Sequence, residues 1–334
     1  MSDKADRIEA ERSADEAVSP APKRGCLARF GANVKRFWWA YLIGFIAVVL
    51  VVVLPVIYVG YPNLAQRDVN KSTLDITEME VSNPAPDSFD IKLRQVIGSD
   101  SHYKPLFYAF NATVKLAGAE DPFFTVEVPE VKAVDGAVST INQKVQLPES
   151  GAFTDFSVAV MEKESLDIII QGRPQLRVGK LPKATVDYDK TVTLKGLNGL
   201  KGFKVLDIKL ASDQPDGANM IGEVLIPNPS IMTLAMGNIT LDLSVEGTKI
   251  GISHLNNIVI RPGDNTFAMR TIANQSHVLS LVAGKDAKFK SGKIPLDIVG
   301  NSSVYNGELI PYFTKALSSN KLSIELDVLG ALGG

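Results

Sequence analysis

The chain has 334 residues, 45% of them apolar, and its 35 basic and 37 acidic side chains leave a net charge of −2. That balance offers no basic footprint for a nucleic acid, which is excluded as a partner. A single cysteine, Cys26, rules out a disulfide scaffold, so the body of the protein folds by burial alone.

In chain order, residues 1–36 read as a cytoplasmic tail with a basic end. The first 22 or so are rich in Asp, Glu, Ser, Ala and Pro and cannot bury enough surface to offset their ordering entropy. Lys23, Arg24, Arg29, Lys35 and Arg36 follow with no acid among them. Cys26 sits in this stretch, about eleven residues ahead of an apolar run, where a juxtamembrane cysteine is a candidate for lipidation by palmitate; a plain free thiol is the alternative.

Residues 37–61 then form an uncharged run long enough for a transmembrane helix, since roughly 20 residues at about 1.5 Å each cross the hydrocarbon of a bilayer. A secretory signal peptide would have a shorter apolar region, nearer the start, ending in an A-x-A pattern that this run lacks. Trp38, Trp39 and Tyr41 at one end, with Tyr58 and Tyr61 at the other, suit the two headgroup layers, and Pro55 is expected to kink the helix. Past the run, Arg67 and Lys71 are interspersed with Asp68 and Asp75, so the basic excess precedes the helix. Basic residues stay on the cytoplasmic side, which makes this a type II single-pass topology with a lumenal or extracellular body. Asn70, Asn111, Asn238, Asn274 and Asn301 each fit the N-glycosylation sequon, and all follow the helix, as a glycoprotein of that topology requires.

The remaining residues read as mainly β: two tandem antiparallel β-sandwich domains, over 72–196 and 203–330, each with a short helix. Period-two alternation places Phe89, Ile91, Leu93 and Ile97 on one face of a strand. The same pattern groups Ile239, Leu241, Leu243 and Val245, and again Leu322, Ile324, Leu326 and Val328. Turn signals at Val134-Asp135-Gly136, Pro215-Asp216-Gly217 and Arg261-Pro262-Gly263-Asp264 punctuate the strands. Two segments break the period, roughly 153–164 and 275–283, and are expected to be helices. The halves also resemble each other: Asn111-Ala112-Thr113-Val114 matches Asn238-Ile239-Thr240-Leu241, and Ile168–Gly172 matches Leu296–Gly300, about 128 residues apart. Matches in the same order indicate a tandem repeat, with its junction in the glycine-rich Lys195–Phe203.

No catalytic constellation emerges. His102, His254 and His277 are not at metal spacing, there is no second cysteine, and no G-x-S-x-G elbow occurs. Gly196, Gly199 and Gly202 lack the G-x-G-x-x-G spacing of a dinucleotide site and read as a linker. Asp213 and Asp216 read as a turn, because the remaining ligands of a calcium loop are missing. The protein is therefore expected not to be an enzyme, and to need no cofactor and no metal.

LKGLNGLKGFKVLDIKL, GEVLIPNPSIMTLAMGNITLDLSVEGTKIG and the RPGDN turn resemble a large fungal family of membrane-anchored proteins whose domain has no assigned function. The fold so implied is similar to the late embryogenesis abundant type-two domain, a fibronectin-like sandwich with an added helix. One relative is a vacuolar-membrane protein implicated in ending autophagy, and a lipid-binding or lipid-transfer role has been proposed for such families. The resemblance implies a vacuolar membrane location, with plasma membrane or endoplasmic reticulum as alternatives, and brings no active-site residues. The expected partners are the membrane lipid bilayer and either a lipid ligand in a sandwich groove or, alternatively, a protein or the cell wall bound by a scaffold ectodomain.

Overall fold

The computed structural model describes residues 26–101, 103–149, 151–211, 214–285 and 287–332, with residues 26–37 and 331–332 described in their backbone alone. The tail expected over residues 1–22 lies outside them, as do Lys23, Arg24, His102 and Asp213, and the side chain of Cys26. The chain divides after Gly60 into two compact units.

In the first unit, helix α1 (Cys26–Pro55) passes into a π-helical turn over Val56–Gly60. Its apolar stretch reaches a mean hydropathy of 3.1 with none of it buried, so it is long and apolar enough to cross a membrane. Pro55 carries no N–H to continue the helical ladder. The irregularity expected there takes the form of the wider turn that follows it.

The second unit opens on helix α2 (Tyr61–Lys71) and continues as the mainly β body. Its first half contains β1 (Thr73–Ala85), β2 (Ser88–Gly98), β3 (Leu106–Phe107), β4 (Phe110–Leu116), β5 (Phe124–Val128), β6 (Val131–Lys132) and β7 (Ala137–Gln146). Helix α3 (Ala152–Glu162) then precedes β8 (Ser165–Gly172), β9 (Gln175–Arg177), β10 (Ala184–Thr185) and β11 (Tyr188–Lys195). The second half contains β12 (Lys204–Leu210), β13 (Met220–Asn228), β14 (Met232–Val245), β15 (Thr248–Ile260) and β16 (Gly263–Ala273). It ends with α4 (Gln275–Val282), β17 (Lys293–Tyr305), β18 (Glu308–Leu309), α5 (Pro311–Ser319), β19 (Lys321–Asp327) and the short α6 (Val328–Leu332).

The alternation seen in the sequence is the burial pattern of the strands. Phe89, Ile91 and Leu93 of β2 are buried while Lys92 and Arg94 are exposed, and β14 buries Ile239, Leu241, Leu243 and Val245. Both expected helices are present, as α3 and α4. Asn274 caps α4, its side-chain oxygen accepting from the His277 amide at 3.1 Å. Helix α5 was not expected; Pro311 at its first turn begins it, and it buries Tyr312, Phe313, Ala316 and Leu317.

Pairing runs in the same order in both halves. β1-β2-β7 in the first corresponds to β12-β13-β16 in the second, and β5-β4-β8-β11 corresponds to β15-β14-β17-β19. The segments matched in sequence, Asn111–Val114 with Ile168–Gly172 and Asn238–Leu241 with Leu296–Gly300, lie on strands that pair with each other within each half. Between the halves the chain makes a turn at Asn198–Leu200. Gly196 there packs so tightly on the end of α3 that a Cβ would run into the Lys163 carbonyl, while Leu197 donates to Val160 O at 2.7 Å.

Two features join the halves beyond that connection. The start of β14 pairs in parallel with β1, Met79 opposite Met232 through Val81 opposite Leu234, so one sheet runs through both. In addition α3 packs on α5, and Phe153 lies 4.8 Å from the Phe89 ring and 4.9 Å from Tyr312. Each such ring pair adds roughly 0.5–1.5 kcal/mol beyond its area burial.

Candidate functional site

The interior hollows found among the described residues are small. Beneath β12 and β19 a hollow of about 40 Å³ is lined almost wholly by apolar side chains, among them Val205, Ile208, Ile250, Ile294 and Leu326. A second, of about 30 Å³, lies between Phe203, Leu241 and Leu255. Water occupies roughly 30 Å³ per molecule in the liquid, and ligand pockets measure about 300–1,000 Å³. These hollows are packing gaps.

Ligand-sized openings lie instead along the seams where each sandwich fails to close. In the second half the ladder runs β12-β13-β16-β15-β14-β17-β19, with every neighbouring pair antiparallel. Among the described residues β12 and β19 pair with nothing on their outer edges, and they face each other across a cleft of about 410 Å³. The equivalent seam of the first half, between β1 and β11, is a cleft of about 530 Å³ lined by Ser72–Ile76 and Asp189–Thr193.

The two seams differ in how their walls are finished. In the first, Leu74 is 8% exposed and Val192 6%. Lys190 bridges from β11 to the end of α2, its ammonium donating to Val69 O at 2.5 Å, to Ser72 O, and more distantly to Asn70 O at 3.4 Å. These carbonyls include orphan acceptors of the helix C-terminus, where a cation also meets the negative end of the dipole. Burial pushes the Lys190 pKa below the ordinary lysine value, with Asp189 acting in the opposite direction.

No such bridge crosses the second seam among the described residues. Leu206 and Leu210 of β12 are each 50% exposed, and Val205, Ile208, Ile324 and Leu326 are only partly covered. Leu210 sits opposite the buried Met220, so it belongs to the inner face and is uncovered because nothing pairs beside it. A bulge between Val205 and Asp207 inserts Leu206, and Gly222 opposite lets the Asp207 carbonyl approach closely. Charged groups form the rim: Lys204, Asp207, Glu325 and Asp327. At one end α6 packs near β12, and Gly330 joins the lining.

The residues singled out in the sequence lie elsewhere. Asn70, Asn111, Asn238, Asn274 and Asn301 are all exposed, scattered over α2, β4, β14, the start of α4 and β17. The side-chain amide of Asn301 donates to Asp242 at 2.9 Å. His254 and His277 are partly buried and far apart in the fold's order; the His254 ring lies 3.3 Å from Thr240 Oγ1. Among the described residues no His, Cys, Asp and Glu cluster could hold a metal. The glycine-rich segment runs from the end of β11 to the start of β12.

Sequence reasoning missed Lys190, Leu206 and Leu210. Lys190 had a signal, since it interrupts the inward register of Tyr188, Val192 and Leu194. β12 had a weaker one, being more apolar than an unpaired edge strand ordinarily is.

Among known proteins, the sequence model of a family described as "Protein of unknown function (DUF3712)" matches residues 121–243. The match straddles the connector, taking in β5 through most of β14. A search of curated proteins finds no match. Among solved structures, the periplasmic chaperone SfaE is 9% identical over 76% of this chain and 98% of its own, with a TM-score of 0.20. The CupB6 tip adhesin from Pseudomonas aeruginosa is 8% identical over 72% of this chain and 97% of its own, with a TM-score of 0.18. Scores this low relate neither fold to the present one.

Proposed function

We propose that the protein is a single-pass, type II membrane-tethered binding module that takes an extended polypeptide segment into the seam between β12 and β19. The observation that carries this reading is the pair of unpaired strand edges facing each other over half-exposed apolar side chains. Each edge presents a row of amide and carbonyl groups, a ready template for pairing with another backbone. Six successive antiparallel pairings leave β12 and β19 running in the same direction, so a strand antiparallel to both completes the alternation. Its alternate side chains would cover Leu206, Ile208, Ile324 and Leu326. Such β-augmentation draws affinity from the main chain and specificity from the side-chain positions.

The lipid-groove reading draws on the same apolar cleft, because the hollow below the seam is too small for an acyl chain. An acyl chain would cover the same side chains but leave both strand edges to water, whereas a polypeptide would pair with them as well, which favours the polypeptide. The basic flank before the helix and the exposure of all five sequon asparagines support a lumenal body carrying N-glycans. The fungal resemblance supports the vacuolar membrane as its address.

The test uses full-length protein with a photo-crosslinking residue at position 206, and at position 74 of the first seam as control. An adduct at 206 that maps to one extended polypeptide segment, with slowed amide exchange on β12 and β19, is expected. An adduct of lipid mass without slowed exchange would favour the groove. Equal labelling at positions 206 and 74 would refute a site at the second seam.

A further inference from the structure

The open edge of β12 carries a pattern that a segment held in the seam leaves unused. Leu206-Asp207-Ile208-Lys209-Leu210 alternates apolar and charged residues, and it reads the same from either end except that the two charges exchange sign. Its apolar members lie on the inner side, with Ile208 opposite Gly222 and Leu210 opposite the buried Met220. Leu206 and Leu210 are half-exposed, and Leu210 falls outside the lining of the cleft, so a segment in the seam would not cover it. Asp207 and Lys209 stand on the outer side, opposite Glu223 and Ile221 of β13. Among the described residues their ion pair is with each other, at 3.0 Å, and both side chains are more than half exposed. The bulge at Leu206 ends before Asp207, so the strand is regular from there to Leu210.

A twofold axis at this edge would set a second copy of β12 antiparallel to the first. Facing residues of a sheet share a side, which removes every register that sets Ile208 opposite a charged neighbour. Of the close registers that remain, centring on Asp207 sets two carboxylates face to face, and centring on Lys209 does the same with two ammonium groups; both are unfavourable. Centring on Ile208 sets each Asp207 opposite the second copy's Lys209 and each Leu206 opposite the second copy's Leu210. Opposite charges then meet on the outer side, and a continuous apolar row forms on the inner side. The other open edge is less free to do this. On β19, Lys321 is held by Asp297 at 2.7 Å and Glu325 by Lys293 at 3.0 Å, both within its own sheet.

We infer that β12 is a self-association edge, on which two copies of the chain pair antiparallel about a twofold axis at Ile208. The inference goes beyond the seam reading and stands without it, because it uses the β12 edge alone and leaves β19 unpaired. The two occupants exclude each other at β12: a segment in the seam gains two edges, a second copy gains one. A contact of one short strand falls at the small end of specific interfaces, so the pairing is weak and depends on concentration.

The test is sedimentation velocity of the full-length protein in detergent over a range of concentrations, with the charge reversals Asp207→Lys and Lys209→Asp. Wild type is expected to pass reversibly from one copy to two. Each reversal alone turns two opposite-charge pairs into like-charge pairs and should weaken self-association by about tenfold or more. An equimolar mixture of the two variants restores opposite charges at both pairs and should associate as wild type does, an outcome that damage to the fold could not produce. In wild type alone, amide exchange on β12 should slow as concentration rises, with β19 unchanged. A wild type that stays a single copy at every concentration overturns the inference and leaves the seam reading standing. Association that both reversals leave intact overturns it too, by placing the contact elsewhere, as does a mixture that fails to associate. Slowing on β12 and β19 together as concentration rises would count against it in the same way, because self-pairing protects one strand and a segment in the seam protects both.

Discussion

Replacing Lys190 with methionine keeps the length of the side chain and removes its charge and its donors. In the folded protein the ammonium makes two close hydrogen bonds, to Val69 O and Ser72 O, and one long one to Asn70 O. A hydrogen bond involving a charged group contributes roughly 1.5–3 kcal/mol net, which sets an upper figure of about 3–6 kcal/mol for the close pair. Two effects reduce it. The lysine is itself desolvated, as its lowered pKa reports, and the freed carbonyls border an open cleft where water can reach them. The expected cost is about 2–3 kcal/mol. At about 2 °C per kcal/mol for a body of this size, Lys190→Met should lower the Tm of the full-length protein in detergent by about 4–6 °C. Local opening should be felt more sharply: amide exchange in α2 and at Ser72, which donates to Asp68 O and Val69 O, should accelerate by about 30- to 150-fold. A Tm within about 1 °C of wild type, with exchange in α2 unchanged, would refute the clamp.

Two other side chains carry expected outcomes of the same kind. Tyr312 is buried among aromatic rings, and its hydroxyl has no hydrogen-bond partner among the described protein groups. Tyr312→Phe should therefore be neutral or stabilising by up to about 1 kcal/mol in thermal unfolding, and a loss greater than that would show an unrecognised partner. The Arg270 guanidinium, donating to both oxygens of Asp216 at 2.6 and 2.8 Å, holds that carboxyl well below its ordinary 3.8. A depressed folded-state pKa gives stability that is complete above the unfolded value and is lost as pH falls through the folded one. The Tm deficit of Asp216→Asn should therefore be equal at about pH 7 and pH 5 and shrink progressively below about 3.8, and a deficit unchanged at about pH 2.5 would contradict the pairing.

Much of this protein could be read from local pattern. A strand's side chains point alternately to two faces, so Phe89, Ile91 and Leu93, or Ile239, Leu241 and Leu243, declare a buried face without knowledge of any neighbour. Helices α3 and α4 were legible as breaks in that period, and the apolar run by its length alone. The repeat was visible because its matched segments are the strands that pair in each half. What stayed hidden depends on who stands next to whom. The parallel pairing of β1 with β14 joins residues about 150 positions apart and leaves no mark on either strand. Helix α2 is short and polar by composition, and only its packing on the sheet of β10, β9, β3 and β6 makes it the rigid foot of the body. Lys190 was visible as a break in an apolar register, but the three carbonyls that explain it come from residues about 120 positions earlier. The seam at β12 and β19 is the clearest case. An edge is defined by a missing neighbour, and whether seven strands close or stop short is decided by their summed twist and stagger around the sandwich, which no single strand's sequence encodes.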